Sequence, residues 1–127
     1  MSARPRPPWM RTRRGFRVVE GGDVLSELLA KPGATHSTFD VLAASIAVLA
    51  PGSPLLMLGF AAGGVVAPLR ALGYRLPIEA VDISRRDLAL FRSVSRGGAG
   101  KVCFTRADAA ERLGAGVVRV FLRTTRA

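Results

Sequence analysis

The chain has 127 residues, 49% of them apolar and 22% charged, with a net charge of +10. That length supports one small domain with one core, and the apolar fraction excludes a disordered polymer. No apolar run approaches the ~20 residues of a membrane-spanning helix, and a single cysteine (Cys103) and a single histidine (His36) exclude a disulfide framework and a cysteine-rich or multi-histidine metal site.

Residues 1–17 carry six arginines and no acid, and residues 117–127 carry three more; residues 18–116 hold ten basic residues against all nine acids. The excess charge thus sits at the chain ends, which argues against a basic binding face built into the fold. Nucleic acid is accordingly the weaker partner expectation. Met1 to Arg17 reads as a disordered basic arm, because Pro5, Pro7 and Pro8 oppose helix and the arginines repel one another. No apolar stretch follows it to make a secretory signal, so a cytoplasmic location is the default expectation. Trp9 can anchor this arm to the body, and Phe16 with Val18-Val19 can begin an edge strand.

The body, residues 18–127, is expected to be a single domain. A first helix is predicted over Asp23–Leu29, stopping at Pro32-Gly33. A second is marked by Ser37 as N-cap, with Asp40 in the acidic position of a capping box. Phe39, Leu42, Ala43, Ile46 and Leu49 follow at helical spacing. Pro51-Gly52-Ser53-Pro54 ends it. His36 lies just before this helix and reads as a surface or cap-associated residue.

The pattern then alternates. Leu55–Leu58 is a continuous apolar run, as in a strand buried on both faces. Gly59-Phe60-Ala61-Ala62-Gly63-Gly64 forms a loop. A helix is predicted from Val65 or Val66 to Leu72, since Pro68 is tolerated only in a first turn, and Gly73 supplies a left-handed stop. Ile78–Ile83 is the next strand. Ser84 caps a helix with Asp87 in its first turn, and Gly97-Gly98-Ala99-Gly100 ends that helix. Val102–Thr105 is a third strand, Ala109–Leu113 a short helix and Val117–Leu122 a fourth strand. Cys103 is expected to be buried and inert. Short connections between alternating strands and helices predict an α/β fold, a Rossmann-like open parallel sheet of about four strands preceded by N-terminal helices.

Ligands of such sheets bind beyond the carboxyl ends of the strands. Three signals fall there in order. The glycine turn lets a ligand approach backbone amides; Asp82 can accept hydrogen bonds from both hydroxyls of a ribose; and Asp108 can accept from an adenine amino group. Each has a plainer reading: a tight turn, a strand-end charge paired with Arg85 or Arg86, and a helix cap with Glu111. Their coincidence favours an adenosine-type site. A nicotinamide dinucleotide fits less well, because the turn lacks the full G-x-G-x-x-G pattern.

Leu55–Gly64, Ile78–Ser84 and Arg106–Leu113 resemble the first three cofactor motifs of class I S-adenosylmethionine-dependent methyltransferases, nearest within them to spermidine synthase-like proteins. That family's glycine turn typically reads G-G-G-D-G-G, matched at Gly59, Gly63 and Gly64. The resemblance covers residues 37–113. It implies S-adenosylmethionine or its decarboxylated form as cofactor, with Asp82 on the ribose and Asp108 and Ala109 beside adenine. The implied contact set is Gly59, Phe60, Ala61, Gly63, Gly64, Asp82, Ile83, Asp108 and Ala109. The chain differs from the pattern at Met57, where many methyltransferases have an acid, and at Ala61 and Ala62. Residues 117–125 also lack the catalytic acid of the polyamine synthases, so no catalytic residue carries across. Methyl transfer is therefore expected in preference to aminopropyl transfer, to an acceptor that the sequence does not specify. The alternative is a non-catalytic or truncated half-fold acting as a nucleic-acid- or protein-binding adaptor. An edge formed by the fourth strand would pair with a second copy or a completing partner.

Overall fold

The computed structural model describes residues 9–60, 63–83, 85, 88–95 and 98–108. Gly21 and Gly22 both take positive φ, 57° and 84°, which makes the two-residue turn whose twist suits antiparallel strands. β2 (Gly15–Glu20) and β3 (Asp23–Leu29) pair across it, with β1 (Trp9–Arg11) on the other side of β2. The helix expected over Asp23–Leu29 is therefore a strand. Seven residues are too few to hold a helix against the ladder that the Gly-Gly turn sets up. The arm expected over residues 1–17 is corrected from Trp9 onward, since Trp9–Arg11 and Gly15–Arg17 are strand residues, while residues 1–8 lie outside the described residues; the edge strand expected from Phe16 is the central strand of this sheet. Trp9 lies edge-on to Phe16, centroids 5.2 Å apart, and Val18 and Leu28 are buried in the main core.

Only α1 (Thr38–Leu49) precedes the parallel sheet among the described helices. Ser37 Oγ accepts the Phe39 amide at 3.3 Å, as a cap should. Asp40 departs from the capping-box expectation. Its Oδ1 accepts the Thr35 amide at 2.7 Å and the Thr35 hydroxyl at 2.8 Å, and its Oδ2 accepts the His36 amide at 2.8 Å. His36 itself sits at φ 57°. Burial opposes ionisation of Asp40, but the Thr35 and His36 hydrogen bonds and the neighbouring imidazole outweigh it and hold the carboxyl below its usual range.

β4 (Leu55–Leu58), β5 (Ile78–Asp82) and β6 (Val102–Arg106) form a parallel sheet in that order, with α2 (Val66–Ala71) and α3 (Leu88–Ser95) in the crossovers. The chain is thus α/β, with an antiparallel sheet that the sequence pattern did not announce. Alternation divides the strand side chains between two faces. Leu55, Met57, Ile78 and Ala80 join α1, α2, α3 and the antiparallel sheet in the main core, whereas Leu56, Leu58 and Val81 form a second cluster with Ala107. Cys103 is exposed, not buried. It alternates onto the face opposite the main core and lines a 390 Å³ cleft with Glu79 and Lys101. The predicted Ala109–Leu113 helix and Val117–Leu122 strand lie outside the described residues, as do Ser84, Asp87 and Gly97. No helix among the described residues is long and apolar enough to cross a membrane.

Arg70, in the last turn of α2, is 5% exposed. Among the described residues its hydrogen bonds go to carbonyls only: Ala99 at 2.5 Å from Nε, Tyr74 and Leu76 at 2.9 and 2.7 Å from one terminal nitrogen, and Lys101 at 3.2 Å from the other. Those carbonyls belong to the two connections that feed β5 and β6. Gly100 leaves room for the group, since a Cβ there would stand 3.1 Å from Arg70 Nε. Burial lowers the Arg70 pKa, yet an arginine stays charged. Tyr74 packs beside it and donates its hydroxyl to the Ser53 carbonyl.

Removing this fork leaves four carbonyls without their donor, at about 1 kcal/mol or more each. Arg70→Ala is expected to lower unfolding stability by about 3–5 kcal/mol in urea titrations. Arg70→Lys should recover only part, because an ammonium cannot span the same fork. For Asp40 the folded pKa lies below the unfolded one. Its stabilisation is present above about pH 4 and is lost as pH falls through the depressed value. Asp40→Asn should accordingly have a lower urea midpoint than the parent at pH 7, and the two midpoints should converge under acid conditions.

Candidate functional site

The parallel register sets Leu58 beside Val81 and Val81 beside Thr105, so the rim one residue further on is made of Gly59, Asp82 and Arg106. The ladder runs into that rim: Gly59 N–H donates to the Val81 carbonyl at 2.8 Å, and Ala107 N–H to the Asp82 carbonyl at 3.1 Å. Two of the three sequence signals meet directly. The Phe60 amide, second residue of the glycine loop, donates to Asp82 Oδ2 at 2.8 Å. This carboxylate fastens the loop after β4 to the end of β5, a charge-assisted bond roughly twice as strong as a neutral one. The third signal, Asp108, is exposed two residues beyond β6, on the same rim.

Within the loop Gly59 takes φ 85° and Gly63 φ 86°, values that favour glycine. Gly63 N–H closes a turn onto the Phe60 carbonyl at 2.8 Å. The space left by Gly63 and Gly64 is occupied by protein. A Cβ at 63 would stand 2.5 Å from the Phe91 ring and 2.8 Å from the Phe60 ring, and one at 64 would collide with Ser26 Oγ and crowd Phe39. The expectation that these glycines open the loop to a ligand is therefore corrected: they let α1, α3 and β3 pack against it. Phe60 turns its side chain inward, buried edge-on between Phe91 at 5.0 Å and Phe104 at 5.7 Å. Only its backbone faces the rim's chemistry. Ala61 and Ala109 lie outside the described residues.

Ile83 follows Asp82 out of the strand and is 68% exposed, an apolar side chain at the rim. Sequence reasoning gave no role here to Arg106 or Phe104, and a different one to Arg85. Arg106 donates from Nε to the Ile83 carbonyl at 3.2 Å. Arg85, one of the two arginines read as partners for Asp82, lies over the Phe104 ring at 5.9 Å; the other, Arg86, lies outside the described residues. Phe104 was legible only as a strand residue, on the same face as Val102. The rim thus combines one carboxylate that orders a loop, a second exposed carboxylate, an exposed apolar side chain and two guanidinium groups. No protein-family model, no curated protein and no solved structure matches the chain.

Gly63→Ala and Gly22→Ala both place a side chain at positive φ, but only the first meets another group within 4 Å. Gly22→Ala should cost about 1–2 kcal/mol of stability from backbone strain. Gly63→Ala should cost about 1–3 kcal/mol more, from overpacking against Phe60 and Phe91. Chemical denaturation of the two variants measures the difference directly.

Proposed function

We propose that the carboxyl rim of the parallel sheet binds an adenosine-bearing cofactor of the S-adenosylmethionine type, and that the protein is a methyltransferase-like, partial Rossmann-like domain. The observation that carries this reading is the bond between the Phe60 amide and Asp82 Oδ2 at 2.8 Å. It ties the turn after one parallel strand to a carboxylate at the end of the next, at the edge where open α/β sheets take their ligands. A carboxylate accepts hydrogen bonds on both oxygens, and Asp82 is the acceptor proposed for the ribose hydroxyls.

The remaining rim residues fit the adenosine half of such a cofactor. Ile83 offers an apolar surface for a purine, and Asp108 an acceptor for its amino group. The fit does not extend to the methionine half: Met57 is fully buried in the core, and Gly63 and Gly64 face the protein's own rings. The reading is thus one of cofactor binding, with transfer of a methyl group, rather than an aminopropyl group, to an acceptor as its reaction class. Such a cofactor supplies an electrophilic methyl carbon when bound. The protein's part is to hold it in line with the acceptor.

Titration calorimetry with S-adenosylmethionine, its decarboxylated form and S-adenosylhomocysteine tests this reading. Asp82→Asn is the informative variant, because its side-chain carbonyl still accepts the Phe60 amide while the charge is gone. Binding should weaken by about 1.5–3 kcal/mol. Equal affinity in both proteins, or no heat with any of the three, would refute the assignment.

A further inference from the structure

The folded position of residues 9–17 gathers charge that is dispersed in the sequence. The turn between β1 and β2 packs against the segment following β3: Ala30 N–H donates to the Arg14 carbonyl at 2.9 Å, and Thr12 and Gly15 close the turn on each other. Arg13, Arg14 and Lys31 thereby line one cleft of 430 Å³, together with Leu29, Ala30 and Pro32. All three cations are exposed, and no ion pair joins any of them to a carboxylate among the described residues. The carboxylates of this sheet whose side chains are described lie elsewhere. Asp23 is at the far turn, and Glu27 is paired with Arg17 at 2.5 Å.

An aromatic group stands on β1, three residues before that turn. Trp9 lies edge-on to Phe16, whose ring also carries the Arg11 guanidinium at 5.6 Å. Trp9 remains 42% exposed and stands about 10 Å from the turn at 3.3 Å per residue. Clustered cations beside an exposed ring are the combination that holds unpaired bases and their phosphates. A duplex hides its base faces from such a ring. A small phosphate would use the cations and leave the ring idle.

The geometry points to a binding surface for single-stranded nucleic acid at this end of the antiparallel sheet, with Arg13, Arg14 and Lys31 on the phosphodiesters and Trp9 against a base. The surface is built without Asp82 or the glycine loop, so it stands or falls separately from the cofactor reading.

The test uses the full chain and a labelled fifteen-residue oligothymidylate, followed by fluorescence anisotropy from 50 to 200 mM salt. Trp9 is the sole tryptophan of the chain, so binding to the unmodified protein should quench its emission. Arg13→Gln/Lys31→Gln should lose about tenfold in affinity and reduce the slope of log affinity against log salt by about 1.4, at 0.7 per phosphate contact on a single strand. Arg75→Gln/Lys101→Gln removes the same charge from exposed sites elsewhere and should stay within twofold of the parent. Trp9→Leu should lose about fivefold with an unchanged salt slope, because stacking releases no counterions, and Asp82→Asn should bind like the parent. Equal losses in the two double variants would overturn the proposal. So would unchanged tryptophan emission at saturation, tighter binding of duplex, or competition by polyglutamate or pyrophosphate as effective as by the oligonucleotide.

Discussion

One guanidinium holds the amino-terminal edge of the parallel sheet together. Parallel strands need crossovers, and each crossover brings a length of irregular backbone whose carbonyls require donors. Arg70 meets four of them, in the connections entering β5 and β6. A carboxylate partner would neutralise only the charge. Four neutral acceptors use the fork geometry as well, and they fix the approach of α2 to both following strands. Gly100 has its place in the same arrangement, because a side chain there would press on the guanidinium.

With that edge held, the strands run in register to the opposite rim, and a second polar contact acts there. Asp82 ties the loop after β4 to the end of β5, while the aromatic rings of Phe60, Phe91 and Phe104 fill the space beneath. The rim is therefore ordered from two directions, by a carboxylate above and by edge-on rings below. The consequence for function is a division within the loop. Gly63 and Gly64 serve close packing, while the Phe60 amide is held by Asp82 and Ile83 is exposed at the rim.

Much of the parallel unit was legible. Leu55–Leu58 was bounded correctly because four consecutive apolar residues between Pro54 and Gly59 leave little alternative. Pro68 located the start of α2, and Gly73 its stop, at φ 87°. These are local steric facts. Asp23–Leu29 failed for the opposite reason. Its leucines and glutamate suit a short helix, and only pairing with β2 makes it a strand. The turn glycines at 21 and 22 were the available signal. Cys103 was misplaced because alternation says that neighbouring side chains face opposite ways, but not which face is covered.

From the sequence alone came the alternation of strands and helices after residue 50 and the order of three polar or glycine-rich signals at strand ends, because hydrophobic period and glycine or proline sterics act over a few residues. The fold decided the rest: that Arg70 would find carbonyls instead of an acid, that rings would occupy the space beside Gly63, and that Arg13 and Arg14 would meet Lys31. Each of those depends on atoms brought together by packing from separate parts of the chain, and a local pattern carries no record of which distant surface it will face.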